Sequence, residues 1–230
     1  MTITPIAYFH SPLTSKFGIP RQSGLVEELP GHIVFTPPYR HEEAIRGLEN
    51  FDYLWLIWEF SENSRQPESA TPQHLTVRPP RLGGNERVGV FASRSPFRPN
   101  NLGLSCVRIR QIELTTDKGP VIHVLGADLM DGTPIYDVKP YLSFTDSHPK
   151  ARNGFAEEHL DERLPVDFPP ELLARIPEEK RPALLAALAL DPRPGYLTGR
   201  GDPYGFPYAG KDVRFYVEDG TVKVFDVVEP

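Results

Sequence analysis

The chain has 230 residues, 39% hydrophobic and 24% charged, with 26 prolines, one cysteine and a formal net charge of −6. That length can bury one large core or two small ones. A single cysteine excludes a disulfide framework, and the acidic balance by itself argues against a general nucleic-acid binder.

In chain order, Ile3–Phe9 alternates loosely and reads as a strand, His32–Phe35 as a short second one, and Glu42–Leu48 as a turn or two of helix ended by Gly47 and Asn50. Tyr53–Phe60 is aromatic and aliphatic without polar alternation, which predicts a strand covered on both faces. Further strands are expected at Leu75–Arg78, Val88–Ala92, Leu102–Leu114, Val121–Leu125 and Ile135–Val138, with Thr115–Gly119 as a hairpin loop. Residues 146–166 are polar, with little periodicity, and read as a linker. Pro170–Ile176 and Glu179–Leu190 follow as helices that begin near proline and acidic residues. Val213–Val217 and Val222–Val228 alternate around Asp219-Gly220, a hairpin signal.

Many short strands between Pro/Gly loops favour a barrel or closed sandwich over a doubly wound fold. The expected architecture is a mainly β domain over residues 1–150 and a small α+β domain over residues 151–230. The lone Gly83-Gly84 pair has neither the spacing nor the following helix of a dinucleotide fingerprint. The N-terminus, MTITPIAYFH, has no basic head or long apolar run. Tyr53–Trp58 and Ala183–Leu190 fall far short of the roughly 20 residues of a membrane helix. A cytoplasmic location is expected.

The charge is uneven, −1 over residues 1–150 and −5 over residues 151–230, and the first part gathers Arg78, Arg81, Arg87, Arg94 and Arg98 in loops. Arg94 and Arg98 share a loop stiffened by Pro96 and Pro99. Guanidinium forks held this way suit a carboxylate, a phosphate or a base edge. Three more polar clusters sit where strands should end: Pro20-Arg21-Gln22, Ser61-Glu62-Asn63, and Asp128 to Pro134 with Asp137 and Lys139-Pro140-Tyr141 beyond it. Asp131-Gly132 forms a tight turn that presents its acid. The seven histidines lack paired ligand spacing, so no metal site is expected; His10, His32 and His123 read as half-buried strand residues and Cys106 as a small core residue.

The segments PRQSG (20–24), RPPRLGGNERVGVFASRSPFRPNNLGLS (78–105), DLMDGTPIYDVKPY (128–141) and DPRPGY (191–196) together resemble the bacterial TrmO/TsaA family of S-adenosylmethionine-dependent tRNA methyltransferases. The resemblance runs from Ile6 to about Asp226. It implies an S-adenosylmethionine-binding β-barrel followed by a small C-terminal domain, working as a homodimer. The implied reaction is methylation of N6 of threonylcarbamoyladenosine, the tRNA base just 3′ of the anticodon. The implied cofactor contacts fall on Pro20, Arg21, Gln22, Arg94, Leu104, Asp128, Leu129, Met130 and Asp131. Ser61 and Glu62 align with the pair after the buried strand, but differ from the His-Gln of other members.

Within that reading Arg21 or Arg94 meets the methionine carboxylate, and Asp128 or Asp131 meets ribose or adenine donors. Candidates for a base that removes the N6 proton are Asp131, Tyr136 and Asp137, with Asp137 preferred. Phe97 and Tyr141 are expected to stack on the flipped base and Arg78, Arg81 and Arg98 to meet phosphates, with Arg193 and Tyr196 adding contacts from the second domain. A methyltransferase with another substrate, or a cofactor-binding sensor or RNA-binding adaptor without turnover, remains open.

Overall fold

Six strands in the first part of the chain pair into one sheet. The computed structural model describes residues 2–63, 75–79, 86–114, 117–159, 163–193 and 201–229. Among them, eight strands precede residue 141: β1 (Ala7–His10), β2 (Pro30–Phe35), β3 (Tyr53–Glu59), β4 (Thr76–Val77), β5 (Val88–Gly89), β6 (Leu102–Glu113), β7 (Val121–Leu125) and β8 (Pro134–Pro140). β4 and β5 make a separate ribbon; the other six pair antiparallel in the ring order β1-β2-β7-β6-β3-β8. The ring closes where Ala7 and Tyr8 oppose Ile135 and Pro134. Alternate residues such as Phe9, Ile33, Leu54, Leu56, Val107 and Ile122 fill the barrel, which leaves no free strand edge among the six.

The later residues form α1 (Ser143–Asp146), β9 (Val166–Asp167), α2 (Pro170–Leu173), α3 (Arg181–Ala189), β10 (Tyr204–Tyr208), β11 (Lys211–Glu218) and β12 (Thr221–Val228). The sheet order is β10-β11-β12-β9, with β9 parallel to β12. α3 buries Ala183, Leu184, Ala187 and Leu188 in a second core with Phe206, Tyr208 and Phe215. Asp219 and Gly220 have φ of 50° and 71°, the left-handed pair that a tight hairpin needs. This second core also takes Leu13, Val26 and Leu29 from the segment between β1 and β2. Leu13 bridges Tyr208, and the Ala209 N–H donates to the Pro12 carbonyl at 2.9 Å. The loop that carries Pro20-Arg21-Gln22 is thus anchored by the C-terminal sheet as well as by the barrel. No helix among the described residues is long and apolar enough to cross a membrane.

Several expectations change. The stretch Val88–Ala92 holds only a two-residue strand before a 3-10 turn, Val90–Ala92, closed by the Ser93 N–H and hydroxyl on the Val90 carbonyl. β3 buries one face only: Leu54, Leu56 and Trp58 point inward, whereas Tyr53 is exposed and Trp55 and Ile57 are half-covered. Cys106 lies opposite Trp55 on that outer face rather than in the core, its thiol pushed up to about 11 by burial and by Asp146. The segment read as a linker starts at the last residue of α1, contains the 3-10 turn Gly154–His159, and leads into β9. β10 escapes sequence reading because it contains Gly205 and Pro207; proline fits there because β10 is an edge strand.

Candidate cofactor site

A cavity of about 460 Å³ opens where the loops at one end of the barrel converge. Its wall takes Pro20, Arg21 and Gln22 from the β1–β2 segment, Glu59 to Asn63 from the end of β3, Ser93, Arg94, Pro96 and Arg98 from the loop before β6, Leu102 to Leu104 from β6, and Asp128, Met130 and Thr133 from the turn before β8.

Internal hydrogen bonds hold the arginine loop. Arg98 Nη1 donates to the carbonyls of Ser93 (2.8 Å) and Val90 (3.3 Å), and Asn63 Nδ2 donates to Pro96 O (2.7 Å). Arg98 is therefore a brace of this loop, with its guanidinium turned toward the protein. That brace presents Arg94, whose Nη1 donates to Gln22 Oε1 and so ties the arginine loop to the β1–β2 segment. Lys16 Nζ donates to Glu62 O at 2.6 Å, a second tie across the cavity mouth. Phe97, on the same loop, is 70% exposed.

Below Arg94 lies a short polar chain. The Trp58 indole N–H donates to Ser105 Oγ (2.9 Å), and the Ser105 hydroxyl donates to Asp128 Oδ1 (2.5 Å). Ser105 is 1% exposed. Burial lifts the Asp128 carboxyl above its ordinary range, against the opposing pull of Ser105, the backbone N–H groups of Asp128 and Ser23, and the Arg94 charge. Gly103 makes room for the indole: a Cβ there would lie 2.5 and 2.7 Å from two of its carbons and nearer still to a third.

The remaining candidates are spread more widely. Ser61, Glu62 and Leu104 line the cavity. Leu129 is fully buried in the barrel core, so only its backbone is available to a ligand. Asp131 turns away from the cavity, accepting from the Ser11 N–H (3.1 Å) and facing His10 Nδ1 (3.2 Å). Gly132, at φ 78°, makes that turn possible. Asp137 pairs with Lys139 at 3.4 Å outside the cavity wall. The Tyr136 hydroxyl donates to Glu59, and burial and that carboxylate push its pKa up to about 12.

Tyr141 packs on Tyr53 and Trp55, with ring centroids 6.1 and 5.9 Å away. Arg78 is exposed just after β4. Arg193 is 6% exposed, its Nε and Nη2 both 2.8 Å from the Asp191 carboxylate; that fork is used internally rather than held out to a phosphate. The Asp191 carbonyl receives Arg21 Nη2 at 3.4 Å, so the 191–193 segment contacts the loop that carries Pro20-Arg21-Gln22. Arg81 and Tyr196 lie outside the described residues.

Sequence reasoning missed Glu59, Trp58, Gly103 and Ser105. The first two lie inside an apolar run, and only the pairing of Trp58 with Gly103 on the neighbouring strand reveals why glycine stands there. His10, His32 and His123 form a half-buried row across β1, β2 and β7, with ring centroids 5.0 and 5.8 Å apart. Among the described residues no His, Cys, Asp or Glu side chains are grouped so as to hold a metal ion.

Comparison with known proteins bears on the family and the fold. The tRNA-methyltransferase O N-terminal domain model matches residues 8–147 and the TrmO C-terminal domain model matches residues 161–230. The tRNA (adenine(37)-N6)-methyltransferase of Escherichia coli is 43% identical over 171 residues, 73% of this chain and 68% of that protein. A Pyrococcus abyssi relative, named "Probable S-adenosyl-L-methionine-binding protein", is 31% identical over 68% of this chain and 76% of its own. The crystal structure of TrmO from Pseudomonas aeruginosa superposes with a TM-score of 0.76 at 30% identity, covering 99% of this chain and 98% of that one. With both domain models matched in order across a shared fold, the chain belongs to the tRNA-methyltransferase O family.

Proposed function

We propose that this protein transfers the methyl group of S-adenosylmethionine to N6 of threonylcarbamoyladenosine at tRNA position 37. In this reading it acts in the cytoplasm as a homodimer. Residues 1–150 form the cofactor-binding unit, and residues 151–230 form a second unit that steadies the loop carrying Pro20-Arg21-Gln22. The observation that carries the proposal is the convergence of Gln22, Arg94 and Asp128, far apart in sequence, on one cavity of about 460 Å³. That volume falls within the range of about 300–1,000 Å³ common to ligand sites. Support for the chemistry comes from the names of the Escherichia coli and Pyrococcus abyssi relatives, the first specifying N6 of adenine 37 and the second the cofactor.

The side chains suit the two ends of this cofactor. Arg94, and Arg21 beside it, would meet the methionine carboxylate, where a planar fork binds best. Asp128 would accept from ribose hydroxyl or adenine amine donors. Trp58, Leu102, Leu104 and Met130 supply the apolar sides between them. When bound, S-adenosylmethionine supplies a methyl group on a cationic sulfur, transferred in line to the acceptor nitrogen. The work left to the protein is alignment, which the braced arginine loop and the Asp128 turn provide.

Removing the N6 proton would make the acceptor a better nucleophile. Of the side chains considered for this step, Tyr136 reaches the cavity wall only through Glu59, whereas Asp131 and Asp137 are engaged elsewhere. We assign proton acceptance to Glu59, ordered by the Tyr136 hydroxyl. Phe97, exposed on the braced loop, would stack on the flipped base, and Arg78 would contribute a phosphate contact.

The test is incubation with S-adenosylmethionine and tRNA that carries or lacks the threonylcarbamoyl group. A mass gain of one methylene confined to the modified tRNA is expected. A gain on unmodified adenosine would move the substrate assignment, and no gain on either would overturn the proposal.

A further inference from the structure

The chain Trp58–Ser105–Asp128 has one feature that the cavity alone does not explain: the direction of its hydrogen bonds is forced. An indole N–H can only donate, so Trp58 occupies a lone pair of Ser105 Oγ. The Ser105 hydroxyl proton then points to Asp128 Oδ1. Gly103 holds the arrangement in place, because only a missing Cβ lets the indole lie flat across β6. Phe60 backs the indole in an edge-to-face contact with centroids 4.3 Å apart. Ser105 itself is 1% exposed and lies on the inner face of β6, opposite Leu56.

We infer that Ser105, oriented by Trp58, is a positioning residue that fixes Asp128 Oδ1 and commits the other carboxylate oxygen to the bound cofactor. The inference rests on the proposal that this cavity holds S-adenosylmethionine. Ser105 touches the cofactor only through Asp128. Its contribution is to keep that carboxylate ionised and fixed in rotation at a depth where burial favours the neutral acid. The groups that face Asp128 are few. Ser105 and then the backbone N–H groups of Asp128 and Ser23 supply the dipoles that favour the ionised form, and the Arg94 charge adds a smaller pull in the same direction.

The test is Ser105→Ala in the full chain, read by calorimetric titration with S-adenosylmethionine between pH 5 and 9 and by the carboxyl-carbon NMR titration of Asp128. Loss of a hydrogen bond to a charged group should weaken cofactor binding about tenfold near neutral pH. The deficit should widen as pH falls, and the Asp128 midpoint should move up, because the bond removed favours the ionised form. Trp58→Phe keeps an aromatic side chain but removes the indole N–H. It should shift the midpoint the same way by a smaller amount, giving a second reading if Ser105→Ala folds poorly.

A uniform affinity loss at every pH with an unmoved Asp128 midpoint would make Ser105 a packing residue and overturn the inference. So would wild-type affinity in the variant. Failure of the unaltered chain to bind S-adenosylmethionine would instead bring down the reading of the cavity, and the inference with it.

Discussion

Gly103→Ala should destabilise the protein out of proportion to one added methyl group. The new Cβ would sit 2.5 and 2.7 Å from Trp58 Cζ2 and Cδ2 and closer to Cε2, all in a rigid ring. The indole has no cheap way out: rotating it breaks the bond to Ser105 and the packing on Phe60. Overpacking of this kind costs about 1–3 kcal/mol, the hydrogen bond about 1 kcal/mol and the aromatic contact about 0.5–1.5 kcal/mol. Relief of one penalty incurs another, so a total of about 2–4 kcal/mol is expected. In a domain of this size that corresponds to a melting temperature lower by roughly 5–15 °C.

The control is Gly89→Ala, where the added Cβ meets nothing within 4 Å and φ is already −58°. It should be neutral, or stabilising by about 0.4–1 kcal/mol through the unfolded chain. Thermal or urea unfolding of the two variants side by side makes the comparison. If Gly103→Ala unfolds with the control, the indole is not locked as described, and the support of Asp128 loses its foundation.

Four further outcomes follow from the site. Arg94→Ala should weaken S-adenosylmethionine binding by about 10–100-fold, the worth of a charge-assisted contact, when measured by calorimetry. Asp128→Asn should also cost cofactor affinity yet raise the melting temperature at neutral pH. The folded protein holds the Asp128 proton to a higher pH than the unfolded chain does, so that group's stabilising effect exists in acid and is lost as pH rises through the raised value. The advantage of the asparagine variant should accordingly disappear when melting is repeated in acid. Glu59→Gln should lower kcat by about 100-fold in a single-turnover assay while leaving cofactor affinity little changed. Phe97→Ala should weaken tRNA binding by about 1–3 kcal/mol in a filter or anisotropy assay, with S-adenosylmethionine affinity unaltered.

The barrel was legible in the sequence because β1, β3 and β7 lie in short β-type runs bounded by Pro/Gly loops, and the 219–220 hairpin because its two residues demand left-handed backbone. The arginine loop could be located from its prolines, but not the division of labour within it. Only the folded loop shows that Arg98 is spent on the Ser93 carbonyl while Arg94 is presented. Arg193 illustrates the same limit. Asp191 sits at φ 49° just beyond α3, which folds its carboxylate back onto the guanidinium two residues on. No periodic signal marks such a turn. The capture of Leu13, Val26 and Leu29 by the C-terminal core was equally hidden, since a non-periodic segment does not declare which of two cores it joins. Ser105 on β6 and Asp128 just beyond its neighbour β7 meet through strand register rather than sequence spacing.

The most direct measurement is a crystal structure of the chain with S-adenosylmethionine. The expected result places the methionine carboxylate on Arg94 or Arg21 and a ribose or adenine donor on Asp128, with Leu104 against the ligand. Density for the cofactor anywhere other than between the 20–22, 94 and 128 loops would contradict the convergence on which the functional assignment stands.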